Sequence, residues 1–368
     1  MNTMLSKIIK PNKKIIGLDV GTSSVKIMEI EGESLDDARL IAYAIEPIPK
    51  EISSEDAQVE SVEALGEVIA RCWKKSGIKT KNVAIALPTS IIIHKKIIVP
   101  IFDSEIEMKM HIENEMINQL PNGMAITDVS IDYYILGKNP ESPTDYDVLL
   151  IAAKNENIEK KLAAVEAAGL NPVILDVEAY AFQNLVRMMK NDEFNDKTIL
   201  VVDCSANTLR LLVYRNGDLV FFRDSEIGGN NFNQDLVNNL GVSEQEAERM
   251  KIERLGDETF EMVEKAFLNN YSSEFLRAFQ YFTTATSNAN IDEIILIGGV
   301  AATPGLEESL KNAILDNNET HIRTEPYVAR PLQNSVRTSK VNLSKFTRDE
   351  PGLFLVTSLA LRQFLRQY

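Results

Sequence analysis

Gly17-Leu18-Asp19-Val20-Gly21-Thr22-Ser23-Ser24-Val25-Lys26 lies between a short apolar run, Ile15 to Asp19, and a segment where Val25, Ile27 and Ile30 restart the pattern. The spacing predicts a strand, a glycine turn and a second strand. Glycines let the backbone curve tightly and let successive N–H groups surround an anion. Thr22, Ser23 and Ser24 add hydroxyl donors, Lys26 adds a cation, and the Asp19 carboxylate can hold magnesium directly or through water. With Gly21 these are the parts of a nucleotide-phosphate clamp. Asp-x-Gly-Thr is also a common turn, so the reading depends on what repeats it.

The second half does repeat it. Thr198 to Asp203 and Leu209 to Tyr214 read as strands, with a third at Asp218 to Arg223 after the turn at Asn216-Gly217. The intervening Asp203, Ser205, Asn207 and Thr208 form a second candidate phosphate hairpin with Asp203 as a second candidate magnesium ligand, and a further strand, Glu293 to Ile297, ends in Gly298-Gly299-Val300. Three such elements in this order resemble the superfamily of actin, the heat-shock ATPases and the sugar kinases. That resemblance implies an actin-like α/β fold of two lobes, built on duplicated RNase H-like domains that pinch a nucleotide between Asp-bearing hairpins.

The remaining chain fits two lobes and an insertion. Arg39 to Ile45 supplies a third strand, Val59 to Lys75 a helix and Val83 to Leu87 a buried strand closed by Pro88. Strands at Ile91 to Val99, Ser130 to Leu136 and Asp147 to Ala153 flank a helix, Ser104 to Leu120. Ser104 at its N-cap and Glu107 three residues on predict a capping box. Gly137 to Asp145 is an expected exposed loop. Asn157 to Ala168 is a helix stopped by Gly169, Val173 to Leu175 a strand, and Glu178 to Met189 a helix. Asn231 to Asn288 is mostly helical, and Leu353 to Leu365 forms a last helix that packs on the body. The expected organisation is therefore a first lobe of residues 1–89 and 148–190, a small α/β insertion at 90–147, which the resemblance implies is FtsA-like, and a second lobe at 191–368 with its own insertion at about 231–288.

Composition limits the alternatives. The chain has 368 residues, enough for two or more domains, with 44% hydrophobic and 25% charged residues, as globular proteins have. Its formal net charge of -15 repels a phosphate backbone, which argues against nucleic acid as a partner. Cys72 and Cys204, far apart, predict neither a disulfide framework nor a zinc site and fit a reducing compartment. No apolar stretch approaches the roughly 20 residues that span a bilayer. The basic, partly apolar Met1 to Lys14 lacks a signal peptide's apolar region and cleavage site, and reads as a tail or a membrane-surface contact. No P-loop, Gly-x-Gly-x-x-Gly fingerprint or Gly-x-Ser-x-Gly elbow occurs, and His94, His111 and His321 do not fall at metal-ligand spacing.

Within the superfamily, the chain resembles the PilM family, actin-like proteins of type IV pilus assembly related to FtsA. The resemblance rests on Ile16 to Gly21 with Ser23 to Lys26, on Val83-Ala84-Ile85-Ala86-Leu87-Pro88, on Ala167 to Leu170 leading to Leu175-Asp176-Val177-Glu178-Ala179-Tyr180-Ala181, and on Ser358 to Arg362. It extends to Ile227-Gly228-Gly229-Asn230 followed by Glu246 to Lys251, where it implies that Glu248 and Lys251 approach the nucleoside. It further implies ATP or ADP with Mg2+, and Glu178 as a water-positioning residue. It implies a cytoplasmic scaffold, peripheral at the inner membrane, that binds the N-terminal cytoplasmic tail of PilN and meets other pilus inner-membrane and motor components, with self-association open. Asp203-Cys204-Ser205 stands where relatives usually carry Asp-x-Gly, and a Cβ there is expected to disfavour positive φ, crowd a phosphate and reduce ATP affinity or hydrolysis. Val300-Ala301-Ala302 likewise replaces another glycine and a hydroxyl residue. A small-molecule kinase on the same fold and an FtsA-like cell-division protein are the alternatives.

Overall fold

The computed structural model describes residues 14–32, 34–49, 52, 61–121, 123–286, 290–316, 324–333, 335–338 and 341–365. The chain opens with β1 (Ile16–Val20), β2 (Ser24–Glu31), β3 (Arg39–Pro47), α1 (Ser61–Ser76) and β4 (Asn82–Leu87). It continues through β5 (Ile92–Pro100), α2 (Glu105–Gln119), β6 (Val129–Lys138), β7 (Asp145–Lys154), α3 (Asn155–Ala167), β8 (Asn171–Val177) and α4 (Glu178–Lys190). The second half runs β9 (Thr198–Cys204), β10 (Leu209–Arg215), β11 (Asp218–Ser225), α5 (Gly229–Leu240), α6 (Glu244–Glu253), α7 (Glu258–Ala285), β12 (Glu293–Ile297), α8 (Leu306–Asp316), β13 (Pro326–Val328), β14 (Val336–Arg337), α9 (Leu343–Asp349) and α10 (Phe354–Leu361).

The duplication read from the sequence is visible in the sheet order. One sheet runs β14-β3-β2-β1-β4-β8 and the other β11-β10-β9-β12-β13. In each, an antiparallel meander of three strands is extended by two parallel strands beyond its first strand. Both sheets are covered on both faces, which is why strands such as Thr198-Ile199-Leu200-Val201-Val202-Asp203-Cys204 are buried throughout. One cluster spans the two lobes: Met28, Phe182, Leu185, Val201, Leu212, Ile297, Phe354 and Val356 pack together, with α4 and α10 between the sheets. The first lobe's other face packs under α1 and α3, and the second lobe's under α5, α7 and α8.

The insertion is a three-stranded sheet, β5-β7-β6, whose core packs under α2 through Val99, Met108, Ile112, Met116, Val148 and Leu150. Its central strand continues to Lys154, past the expected limit at 147, because β7 pairs with β5 and β6 along most of its length. The expected capping box on α2 is not made: Ser104 is extended but its side chain accepts no hydrogen bond from the first turn. Ser243 and Asp257 do cap α6 and α7. The expected loop at Gly137 to Asp145 is shortened by both flanking strands and folded on Asn139, whose side-chain Oδ1 accepts from the Glu141 and Ser142 N–H groups.

The C-terminal part does not stay with the second lobe. β14 pairs with β3 at the edge of the first sheet, and α10 packs on β1, β2 and α4. This differs from a second lobe running unbroken to 368, and the reason is hydrophobic: α10 is apolar but for Thr357 and Ser358 and is buried between the two sheets. The helix ends at Leu361, before the expected Leu365, where Arg362 and Phe364 N–H groups turn back to the Leu359 and Leu361 carbonyls. The readings of Met1 to Lys13 and of His321 lie outside the described residues.

Gly17 sets how closely α10 approaches β1. A Cβ there would lie 2.2 Å from the Val356 carbonyl oxygen and 2.7 Å from the Ala360 nitrogen, both backbone atoms that cannot swing away. Gly17→Ala is therefore expected to lower stability by about 1–3 kcal/mol, the usual range for overpacking, measured by urea denaturation. An unchanged denaturation midpoint would show that α10 is free to shift.

Candidate functional site

The two Asp hairpins face each other across the cleft, and the same charge pattern builds both. In the first, Asp19 on β1 lies directly opposite Lys26 on β2, and Lys26 Nζ donates to Asp19 Oδ2 at 2.9 Å. The turn between them closes through Gly21 N–H to Ser24 C=O (3.1 Å), with Thr22 exposed at its tip and Ser23 C=O accepting from Ile48 N–H (2.9 Å). Burial works against the Lys26 charge, but the Asp19 carboxylate, with Asp203 and Glu178 beyond it, holds its pKa above the ordinary lysine value.

In the second hairpin Asp203 on β9 lies opposite Arg210 on β10, and Arg210 lies opposite Asp224 on β11. Arg210 donates through Nε and Nη2 to both Asp224 oxygens (2.7 and 3.0 Å), through Nη1 to Glu178 Oε2 (2.5 Å), and sits 3.9 Å from Asp203 Oδ2. Burial pushes the Asp203 carboxyl up to about 6, against the pull of Arg210 and of the Ser205 hydroxyl. The strain expected at Ser205 is absent. Among the described residues the non-glycine positions with positive φ are Asn191, Asn216 and Arg254. The turn closes instead through Ser205 N–H to Thr208 C=O (3.0 Å), while Ser205 Oγ donates to Asp203 Oδ1 (2.7 Å).

The hairpin tips meet directly. Asn207 Nδ2 donates to Thr22 Oγ1 at 3.0 Å, and Asn230 Nδ2 donates to Asn207 Oδ1 at 2.7 Å. Asn230 and Gly229 belong to the first turn of α5, whose N–H groups donate to the Ala206 and Ser205 carbonyls (2.8 and 3.1 Å) and so tie the segment starting at Gly228 to the second hairpin. Lys251 Nζ reaches the Gly229 carbonyl (3.3 Å) and pairs with Glu248 (2.8 Å), and Val300 packs against Gly229. Gly298 has φ +91, and a Cβ there would stand 2.3 Å from the Cys204 carbonyl oxygen, so only glycine brings the Gly298-Gly299 turn this close to the second hairpin. The residues read from the sequence thus converge from the two hairpins, the start of α5 with α6, and the end of β12.

A magnesium ion fits this donor set only in company with phosphates. Among the described residues no group of three or more His, Cys, Asp and Glu side chains could hold a metal by itself. Asp19 is engaged by Lys26, and Asp203 by Ser205 with Arg210 nearby. Mg2+ commonly takes one or two carboxylates plus phosphate oxygens and water, and Asp19 and Asp203 would serve in that way. Glu178 gives Oε2 to Arg210, which fixes the carboxylate and leaves Oε1 as the oxygen that would orient a water.

A model of the type IV pilus assembly protein PilM matches residues 17–364. The chain belongs to the PilM family. The solved PilM–PilN type IV pilus biogenesis complex has a chain similar to this one, with a TM-score of 0.76, 23% identity, and 96% of this chain and 99% of that one covered. The ethanolamine utilization protein EutJ from Carboxydothermus hydrogenoformans shares the fold at a TM-score of 0.55 and 15% identity, over 98% of this chain and 94% of its own. The cell division protein FtsA of Bacillus subtilis (strain 168) is 23% identical over 350 residues, 83% of this chain and 78% of that protein. These similarities agree with the actin-like fold read from the hairpins.

Three charged residues of the cleft were not read from the sequence. Arg210 follows Asp203 at the same interval at which Lys26 follows Asp19, so the duplication itself carried the signal. Asp224 is its neighbour across the next strand pair. Lys161 donates from α3 to the Val20 carbonyl at 2.8 Å. Burial lowers its pKa against the opposing pull of Glu178 and Asp19. It shares a helix face with the buried Ile158 and Val165, a placement that marks an inward lysine.

The raised Asp203 pKa has a definite sign. The folded protein holds that proton more tightly than the unfolded chain, so the contribution to stability is full below about pH 4 and is lost as pH rises through about 6. Asp203→Asn removes this dependence. Relative to wild type, the variant is expected to gain stability between pH 4 and pH 7 by on the order of 2–3 kcal/mol, read from denaturation curves at several pH values. A wild type and variant that keep a constant difference across that range would contradict it.

Proposed function

We propose that this PilM-family chain is a scaffold of the type IV pilus assembly apparatus that holds Mg-ATP or Mg-ADP between its lobes and binds the N-terminal cytoplasmic tail of PilN. The observation that carries the nucleotide reading is the pair of Asp hairpins facing across the cleft, each with a basic residue opposite its aspartate and hydroxyl or amide donors at its tip. Phosphates would be met by the turn N–H groups, Thr22, Ser23, Lys26 and Lys161. The nucleoside would lie toward Gly229, Lys251 and Val300. Turnover is expected to be slow, since Arg210 holds Glu178 Oε2 and leaves only Oε1 to meet a water.

The insertion supports the partner reading. Its sheet face opposite α2 places Tyr134 beside Leu149 and Ile98 beside Asp147 in the strand register, and Tyr134 and Ile98 are 51% and 58% exposed. Ile93, Ile131 and Tyr133, on the other face, are packed with the α2 core. Exposed aromatic and branched side chains on a sheet with open edges suit an extended, partly apolar peptide. Among the described residues no helix is long and apolar enough to cross a membrane, and attachment at the inner membrane would come through PilN.

Calorimetry tests the first part. Mg-ADP is expected to bind wild type, and Asp19→Ala, which leaves Lys26 without its partner and removes a metal ligand, is expected to weaken binding at least tenfold. Equal affinity in the two proteins would remove the cleft assignment. For the second part, fluorescence anisotropy with a labelled PilN tail peptide is expected to show binding that Tyr134→Ala weakens by about tenfold or more, as loss of an interface aromatic commonly does. Peptide binding unaffected by that change would place the seat elsewhere.

A further inference from the structure

The hairpin cations are related by the duplication but do different things. Lys26 answers its own Asp19. Arg210 is 7% exposed, and its guanidinium plane is fixed from within its own sheet, because Asp224, its cross-strand partner, accepts from both Nε and Nη2. A two-point grip of this kind sets the direction of the remaining nitrogen. Nη1 leaves the sheet and meets Glu178, the first residue of α4, which follows the last strand of the first lobe's sheet. The contact is a direct protein–protein ion pair at the base of the cleft. Below it, Tyr214 Oη donates to the Ala179 carbonyl (2.6 Å), and Gln183 Nε2 to the Gly217 carbonyl (2.5 Å), so the same helix is fastened to the second lobe at successive turns.

We propose that Arg210 is a positioning residue that ties Glu178 of the first lobe to the Asp203–Arg210–Asp224 row of the second, so that the chain's own charges hold the cleft closed and nucleotide is not needed to close it. Arginine suits this position and lysine does not, because only the fork can hold Asp224 at two points and still reach Glu178. The consequence is a partner-binding shape that does not depend on the nucleotide state. The tie lies in the cleft of the proposed nucleotide site, but its primary measurement is made without nucleotide, so the two readings fail separately.

The test uses the full chain with spin labels at Lys79→Cys and Lys265→Cys, one exposed position in each lobe, both native cysteines being buried. Pulsed electron–electron distance measurement on nucleotide-free wild type is expected to give one narrow distribution, unmoved by Mg-ADP. Glu178→Gln removes one charge of the tie and leaves the Asp203–Arg210–Asp224 row intact. It is expected to broaden the nucleotide-free distribution and shift it to longer distances, and Arg210→Lys is expected to do the same. A Glu178→Gln distribution identical to wild type, or a wild type that is broad alone and narrows with Mg-ADP, overturns the proposal. If calorimetry finds no nucleotide binding to wild type while Glu178→Gln still opens the cleft, the nucleotide reading fails and the tie stands.

Discussion

A carboxylate placed beside a basic group on the next strand, in a strand that is otherwise apolar, is the constraint on which the cleft depends. Burying either charge alone costs several kcal/mol, and the pair is tolerable only when the geometry is close and the remaining donors are used. The antiparallel register supplies that geometry at no further cost, since residues opposite each other already sit about 5 Å apart. Asp19 with Lys26 and Asp203 with Arg210 therefore fix the register of both hairpins. A slip by one residue would turn every charge in these strands into the apolar layers. Because β1, β2, β9 and β10 carry the two layers that share α4 and α10, the charges also fix how the lobes meet.

This explains which parts of the molecule the sequence discloses. The meanders, the duplication and the Gly298-Gly299 turn were legible because buried strands read as continuous apolar runs and the turns demand glycine. Gly17 was read only as part of a turn, although its role is to admit α10. That contact joins residues far apart in sequence, and no local pattern reports it. Ser104 was read as half of a capping box and is not one, which shows that the motif gives opportunity and that the angle at which the chain enters the helix decides. The expected cost of Ser205 rested on analogy with a glycine turn. The chain instead closes the turn by a hydrogen bond from Ser205 to Thr208 without left-handed backbone. Arg210 was legible in principle from the repeated Asp-to-cation interval, and its reach to Glu178 was not, because that depends on the approach of two lobes.

The electrostatics of the cleft bear differently on holding a nucleotide and on consuming one. Lys26, Lys161 and Arg210 gather around Asp19, Glu178, Asp203 and Asp224, leaving a small excess of negative charge that a phosphate would meet only with its magnesium. An arrangement that catalyses hydrolysis needs a carboxylate or amide free to align water. Here the only acid at the start of α4 accepts a short hydrogen bond from a guanidinium that is itself held twice. Releasing Glu178 Oε2 would require breaking a part-buried, charge-assisted hydrogen bond. Slow turnover, as proposed for this site, would rest on Arg210 and not on strain at Ser205.

The insertion is fastened to the second lobe as well as to the first, and this bears on how a membrane partner would feel the cleft. His94 of β5 packs on Phe222 of β11 with ring centroids 5.5 Å apart and hydrogen bonds Tyr180 Oη through Nδ1 at 3.3 Å. Lys96, two residues along the same strand, lies 3.2 Å from Asp147 and 3.5 Å from Asp218 of β11. Tyr180 is on α4, two residues from Glu178, so the insertion, the tied acid and the second lobe's outer strand meet around a single helix. A peptide seated on the Tyr134 face would press against a sheet that leans on this junction. Coupling between peptide and nucleotide then requires α4 to move, and the Arg210 pair, Tyr214 and Gln183 all oppose that movement. The arrangement favours a rigid adaptor, in which assembly is governed by whether the partner is present.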